Sequence, residues 1–208
     1  TCNEKRVAYA KSVGANVYVS IHNNWTSSSS ASGVEIYYPN QNYKPSISQS
    51  GQELASHILN QLVALGLKNR GTKVRTCVDH EEKYQYADGT QADYYAVIRN
   101  CKKEDIPAII IEHAFISNAS DVANFLSNDT QLQKLGAADA KGIAQYFGLQ
   151  TIDYSAVFNA AYYAEHNQDI KAAFGTDENA LLNHFINYGM AEGRRASAEF
   201  DVLAYKAR

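Results

Sequence analysis

Long apolar runs, a basic excess and paired cysteines are all absent from this 208-residue chain. No stretch reaches the roughly 18 apolar residues that mark a bilayer-crossing helix, so no membrane span is expected. Lysine and arginine number 19 against 22 acidic residues, a net charge of −3. That balance offers no basic surface to nucleic acid or to an anionic membrane. The three cysteines, Cys2, Cys77 and Cys101, contain no CxxC pair. This excludes a dense disulfide framework and a cysteine-built zinc site. Sparse cysteine suits a cytosolic protein and a lightly bridged secreted one equally. Methionine occurs once, at Met190, and residue 1 is threonine. The chain therefore reads as part of a longer product, and its lack of a signal peptide says nothing about location.

What is present is enough apolar content, 45%, for a packed core, in a length that fits one ordinary domain and a small second one. Two short runs stand out. Val17-Tyr18-Val19-Ser20-Ile21 stops at His22, followed by Asn23 and Asn24; Ala108-Ile109-Ile110-Ile111 stops at Glu112, followed by His113. Runs this short and rich in β-branched residues read as strands buried on both faces, as in a parallel sheet with helical cover. Ligand sites in open α/β sheets lie at the carboxyl ends of strands. His22 and Glu112 are therefore expected to share one cleft.

Helical patterns alternate with these strands. One is expected near 3–14, with Val7, Ala10 and Val13 at helical spacing. A second strand opens at Gly33 and runs through Tyr38. Ser50-Gly-Gln-Glu53 reads as a capping box, starting a helix that carries Leu54, Ile58, Leu62 and Leu65 and stops at Gly66. Asn118-Ala-Ser-Asp121 reads as a further N-cap, and Asp129 as the cap of a helix with Leu132, Leu135, Ile143 and Phe147. The polar stretch 79–93, with its Asp88-Gly89 turn signal, is a long functional or disordered loop. The expectation for 1–149 is an α/β domain with a mixed or mainly parallel sheet flanked by helices.

From 150 to 208 the pattern is helical, tyrosine-rich and free of strands. Asp177 is placed to cap a helix with Leu181, Leu182, Phe185 and Tyr188 inward, closed by Gly189. Phe158-Asn-Ala-Ala-Tyr-Tyr163 is echoed 42 residues later by Phe200-Asp-Val-Leu-Ala-Tyr205. That period suggests a helical repeat array, one copy and the start of a second.

The residues VYVSIHNN, GVEIYY at 33–38, Asn69-Arg70-Gly71, Val97-Ile98-Arg99 and PAIIIEHAFISN at 107–118 resemble the zinc-dependent N-acetylmuramoyl-L-alanine amidases of bacterial cell-wall turnover. The resemblance runs from about residue 3 to residue 148. It implies an extracellular or wall-associated hydrolase acting on peptidoglycan, and one zinc ion. It makes His22 a metal ligand and Glu112 the catalytic glutamate, with two further ligands expected upstream of residue 1. A zinc site needs three protein ligands and an open position, so this portion alone is expected to be metal-poor and inactive unless His80, Glu81, Glu82 or His113 substitutes. The segment 150–208 more loosely resembles short helical repeats beside catalytic domains in surface proteins of Gram-positive bacteria.

Each residue also has a plainer reading. Glu112 following four apolar residues should have a raised pKa, which suits proton transfer; alternatively it pairs with Arg99. His22 alone would be a hydrogen-bonded structural histidine. His113 is read as packing, Asn23 and Asn24 as shaping the loop, and His57, His166 and His184 as surface or packing residues. Tyr84, Tyr86, Tyr94 and Tyr95, with the acidic run 79–82, either line a substrate groove or form a solvated loop. The functional alternatives to an amidase are a non-catalytic wall-binding protein and an adhesion array.

Overall fold

The structure, a computed structural model, describes residues 2–77, 85–149 and 153–207. The chain divides into two compact units between Gln150 and Thr151.

The first unit is a four-stranded mixed sheet with helices on both faces. Its strands are β1 (Tyr18–Asn24), β2 (Val34–Tyr37), β3 (Asn69–Lys73) and β4 (Ala108–Phe115), in spatial order β1-β4-β2-β3. β1 runs parallel to β4, β2 antiparallel to β4, and β3 parallel to β2. β4 thus has neighbours on both sides, which is why Ile109, Ile110 and Ile111 are all buried. Both apolar runs extend past their ionisable residue instead of stopping there: β1 continues through His22 to Asn24, and β4 through Glu112 to Phe115. β3 lacks an apolar run. Its sequence, NRGTK, is a strand because β2 supplies its hydrogen-bonding partner.

The two faces of the sheet are covered differently. One packs against α2 (Pro45–Ala64) and α5 (Asp129–Tyr146), burying Val34, Ile36, Leu54, Ile58, Leu62, Ile109, Ile111 and Leu135. Gly142 lets these helices touch, since a Cβ there would lie 2.5 Å from the Ile58 Cα. The other face packs against α1 (Cys2–Ser12) and α3 (Ala96–Lys103) through Val7, Ala10, Ile98, Cys101, Ala108 and Ile110.

Several local expectations shift. α2 begins at Pro45, with Lys44 before it at φ 48°, so Ser50 and Glu53 lie inside the helix and form no capping box. Proline at the first helical position needs no amide partner and starts the helix earlier. Leu65 is 39% exposed, beyond the last turn that the sheet covers. Asn118 does cap the one-turn helix α4 (Ala119–Asp121), which widens into a π-type turn at Val122–Leu126. α5 is capped by Asn128, one residue before Asp129; its Leu132 is exposed, as is Phe147 just past its end. Val13 lies past the end of α1 and is exposed as well.

The second unit contains α6 (Ala160–His166), α7 (Gln168–Phe174), α8 (Glu178–His184), α9 (Met190–Glu192) and α10 (Val202–Lys206). They gather around Tyr163, Ile170, Leu181, Phe185 and Val202. Asp177 caps α8 with two hydrogen bonds to backbone amides. Tyr188 is 61% exposed, however, and Gly189 does not end the helical run. Gly189 packs against the Tyr163 hydroxyl, and the run stops at Gly193, whose φ is 74°. Asn159 and Asp201 cap α6 and α10, accepting from backbone amides of the first turn.

Candidate active site

In parallel strands, residues in register present their side chains to the same face. His22 is the register partner of Glu112, and Glu35 on β2 is the partner of Glu112 from the other side. Adjacent strands lie about 4.7–4.9 Å apart. The sheet therefore carries a row, His22–Glu112–Glu35, on the face that α1 and α3 cover further down. Ser20 and Ile110 precede His22 and Glu112 on this face. The Ser20 hydroxyl is 2.8 Å from His22 Nε2, and the imidazole is otherwise exposed.

Glu35 is the most heavily bonded member of the row. Its Oε2 accepts from Arg70 Nε at 2.8 Å and Lys73 Nζ at 2.5 Å. Its Oε1 accepts from Asn24 Nδ2 at 2.8 Å and the Tyr37 hydroxyl at 3.0 Å. Burial pushes the Glu35 carboxyl up, but the bonds from Lys73, Arg70 and Tyr37 together outweigh it and hold it below its ordinary value. Glu35 is an ionised carboxylate. It follows Gly33, where φ is 100° and a Cβ would sit 2.1 Å from the Lys68 carbonyl oxygen, so only glycine fits. Asp121 ties the same corner together, accepting from the amides of Gly33 and Phe115.

Glu112 is the opposite case. Its Oε2 is buried and has no hydrogen-bond partner, the one such side-chain atom among the described residues. Burial, chiefly, and the charge of Glu35 raise its pKa to about 7, with His113 acting the other way. Burying a polar group without a partner costs free energy, so such an atom in a native fold calls for an explanation such as a catalytic role. Two neighbouring carboxylates with pKa values pushed apart are the usual signature of divided acid and base roles.

The other sequence candidates sit elsewhere. Arg99 donates to the carbonyls of Asp93 and Tyr94. His113 is buried on the opposite face, 2.9 Å from Asp139 of α5. Tyr86 is buried and bonds Asp93, so it lines no open groove, whereas Tyr94 and Tyr95 are half-buried. Asp79, His80, Glu81, Glu82 and Tyr84 lie outside the described residues. His166 stacks on Tyr162, and His184 bonds the Tyr163 hydroxyl. A cleft of about 620 Å³ between α1 and α3, lined by Val7, Lys11, Asn100 and Lys103, contains none of the row. Among the described residues, no three His, Cys, Asp or Glu are grouped to hold a metal ion. Sequence reasoning singled out no role for Glu35, Arg70 or Lys73. The available signal was a lone carboxylate between two buried residues, Val34 and Ile36.

Residues 1–145 match the family described as N-acetylmuramoyl-L-alanine amidase. The uncharacterized protein YqiI of Bacillus subtilis (strain 168) is 32% identical over 145 residues, 69% of this chain and 57% of YqiI. The N-acetylmuramoyl-L-alanine amidase LytC of the same strain is 32% identical over 145 residues, 69% of this chain and 24% of LytC. Among solved structures, Cwp6 from Clostridium difficile matches at 30% identity with a TM-score of 0.56, over 69% of this chain and 20% of that one. The amidase AmiC2 of Nostoc punctiforme matches at 26% identity with a TM-score of 0.52, over 70% and 65%. The chain thus spans little more than half of YqiI and about a quarter of LytC.

Proposed function

This chain belongs to the N-acetylmuramoyl-L-alanine amidase family, and from that premise we propose that residues 1–149 form a unit that hydrolyses the amide between N-acetylmuramic acid and L-alanine in peptidoglycan, outside the cell or within its wall. The observation that carries this reading is the unpartnered Glu112 oxygen, in register with His22 and beside an ionised Glu35.

A carboxyl with a pKa near 7 is half ionised at neutral pH, where a group that must both take and return a proton works best. The ionised form of Glu112 accepts the proton of an attacking water. Its protonated form then delivers that proton to the departing amine of L-alanine. Glu35, fixed by four donors, stays charged throughout and keeps the Glu112 proton affinity high.

The family resemblance also implies zinc, which when bound lowers the pKa of a coordinated water and polarises the carbonyl. His22 is our candidate for one ligand. Three are needed, and the described residues do not assemble them. They therefore do not fit a complete zinc site, and the remaining ligands are assigned outside them. Residues 150–208 are proposed as a separate helical repeat region.

The test is release of peptides with a new L-alanine amino terminus from purified peptidoglycan, using the longest natural form that contains these residues. Loss of activity on chelation and its return with added zinc are expected. His22→Ala should lower zinc content and be partly rescued by excess zinc, whereas Glu112→Gln should retain zinc and stay inactive. Binding to peptidoglycan without any new amino terminus, with zinc present, would replace the enzyme by a wall-binding protein.

A further inference from the structure

Away from the row, three fully enclosed polar side chains meet behind α3. Lys102 is 0% exposed, Asp93 1% and Asn40 2%. The Lys102 amine lies 3.2 Å from the Asn40 side-chain oxygen Oδ1, 2.5 Å from the Asn40 backbone carbonyl oxygen and 3.9 Å from Asp93 Oδ2. The Tyr86 ring covers the amine at 5.2 Å, and Tyr43 stacks on Tyr86. A long cation in such a place is rare unless paired. Here its nearest neighbours include a carboxamide, which is an electrophile.

We propose that this cluster is an autocatalytic cross-linking site, in which the Lys102 amine attacks the Asn40 side-chain amide and an isopeptide bond joins α3 to the segment after β2.

The nucleophile must be a neutral amine. Burial lowers the proton affinity of Lys102 and raises that of Asp93, so a proton passes from ammonium to carboxylate at less cost than in water. Lys102 Nζ then adds to Asn40 Cγ. The negative charge that develops on Oδ1 is met by the backbone amide of Asn42, which already donates to that atom at 3.0 Å. This is the arrangement of an oxyanion hole. Asp93 is held over the site by the Asn40 backbone N–H at 2.7 Å and the Tyr86 hydroxyl at 2.5 Å, and in the proposed step it carries the proton shed by Nζ to the leaving Nδ2. One C–N bond forms, one breaks, and ammonia leaves. Nothing is oxidised or reduced, and no co-reactant enters. Exclusion of water keeps the amide from being hydrolysed instead. The bond would close 62 residues of chain into a loop containing β3 and the polar stretch after it. That restrains the unfolded chain as a disulfide does.

The experiment is an intact mass measurement of the full chain under denaturing conditions, followed by peptide mapping. The expected mass is below that of the sequence by one ammonia, with a branched peptide linking Asn40 to Lys102. A mass equal to that of the sequence, with separate Asn40 and Lys102 peptides, overturns the proposal. Lys102→Arg keeps the charge but removes the nucleophile, so its mass should equal its own sequence. If the ammonia deficit persists in Lys102→Arg, the loss comes from another asparagine and the proposal fails. In Asn40→Asp the deficit should change from one ammonia to one water, which identifies the electrophile. Because mass is read on unfolded protein, the wild-type result stands even where a variant folds poorly.

Discussion

The first unit has two clusters of polar side chains, one enclosed and one open at an end, and they differ in a way that separates their chemistry. Around Asn40, Asp93 and Lys102 both charged groups are enclosed and hydrogen-bonded, Asp93 by the Asn40 backbone amide and the Tyr86 hydroxyl and Lys102 to the Asn40 carbonyl. The electrophile beside Lys102 is the chain's own carboxamide, that of Asn40. In the row His22–Glu112–Glu35, one carboxylate has four donors while its neighbour's Oε2 has none, and the His22 end is open to solvent. Burial is common to both. What differs is whether the polar groups satisfy one another. A satisfied cluster fastens the fold, whereas an unsatisfied one beside solvent retains a valence for a molecule from outside.

The largest effect is expected at Glu112. In the zinc-loaded natural form, Glu112→Gln should lower the rate of peptide release by about 10²- to 10⁴-fold, the usual share of acid–base catalysis, with folding retained. A rate within a few-fold of wild type would return Glu112 to a structural role. At the enclosed cluster the effect should fall on stability instead. Lys102→Met removes the cross-link and leaves the enclosed polar groups of Asn40 and Asp93 without the Nζ group, a change that costs about 3–5 kcal/mol, readable in urea denaturation. A loss below about 0.5 kcal/mol, the range of an ordinary surface substitution, would show that the cluster does not hold the fold.

Two smaller effects sharpen the account of the row. Glu35→Gln removes the negative charge that helps to raise Glu112, so the Glu112 pKa should fall from about 7 toward its ordinary value. Carbon-13 NMR titration of the carboxyl would follow it, and an unmoved midpoint would leave burial as the whole cause. The smallest effect is on stability against pH. Glu112 titrates at about 7 in the folded chain and at about 4.3 when unfolded. The folded form therefore binds the extra proton between those values. The contribution of Glu112 to stability is complete below the unfolded pKa and is lost as pH rises through 7. Wild type should lose more in its urea midpoint between pH 5 and pH 8 than Glu112→Gln does. Equal slopes would mean that Glu112 titrates near its ordinary value.

Much of this was legible in the order of residues. The β-branched runs before His22 and Glu112 mark two strands of one sheet, and the apolar stripe Leu54, Ile58, Leu62 marks the inner face of α2, because buried spacing is a local property of sequence. Glu112 stood out because a carboxylate after four apolar residues has few places to go. β3 was not legible, since Asn69–Lys73 is a strand only by virtue of β2. The start of α2 was missed because Pro45 and the left-handed Lys44 begin it before the Ser50 signal. Tyr188 was expected to lie inward, but the wide turn at Phe185–Gly189 rotates it to the surface.

The sequence alone determined which segments bury themselves and that an imidazole and a carboxylate follow two of them, because periodicity and local desolvation act over a few residues. It could not specify which charges meet. Glu35 was a single acid in an apolar strand until antiparallel pairing of β2 with β4 set it beside Glu112. Lys102 was half of an exposed-looking Lys-Lys pair until α3 turned it inward onto Asn40, 62 residues away. Those encounters depend on strand register and helix rotation. Both are settled by packing over the whole unit, so only the tertiary structure decided which carboxylate is held and which is left free.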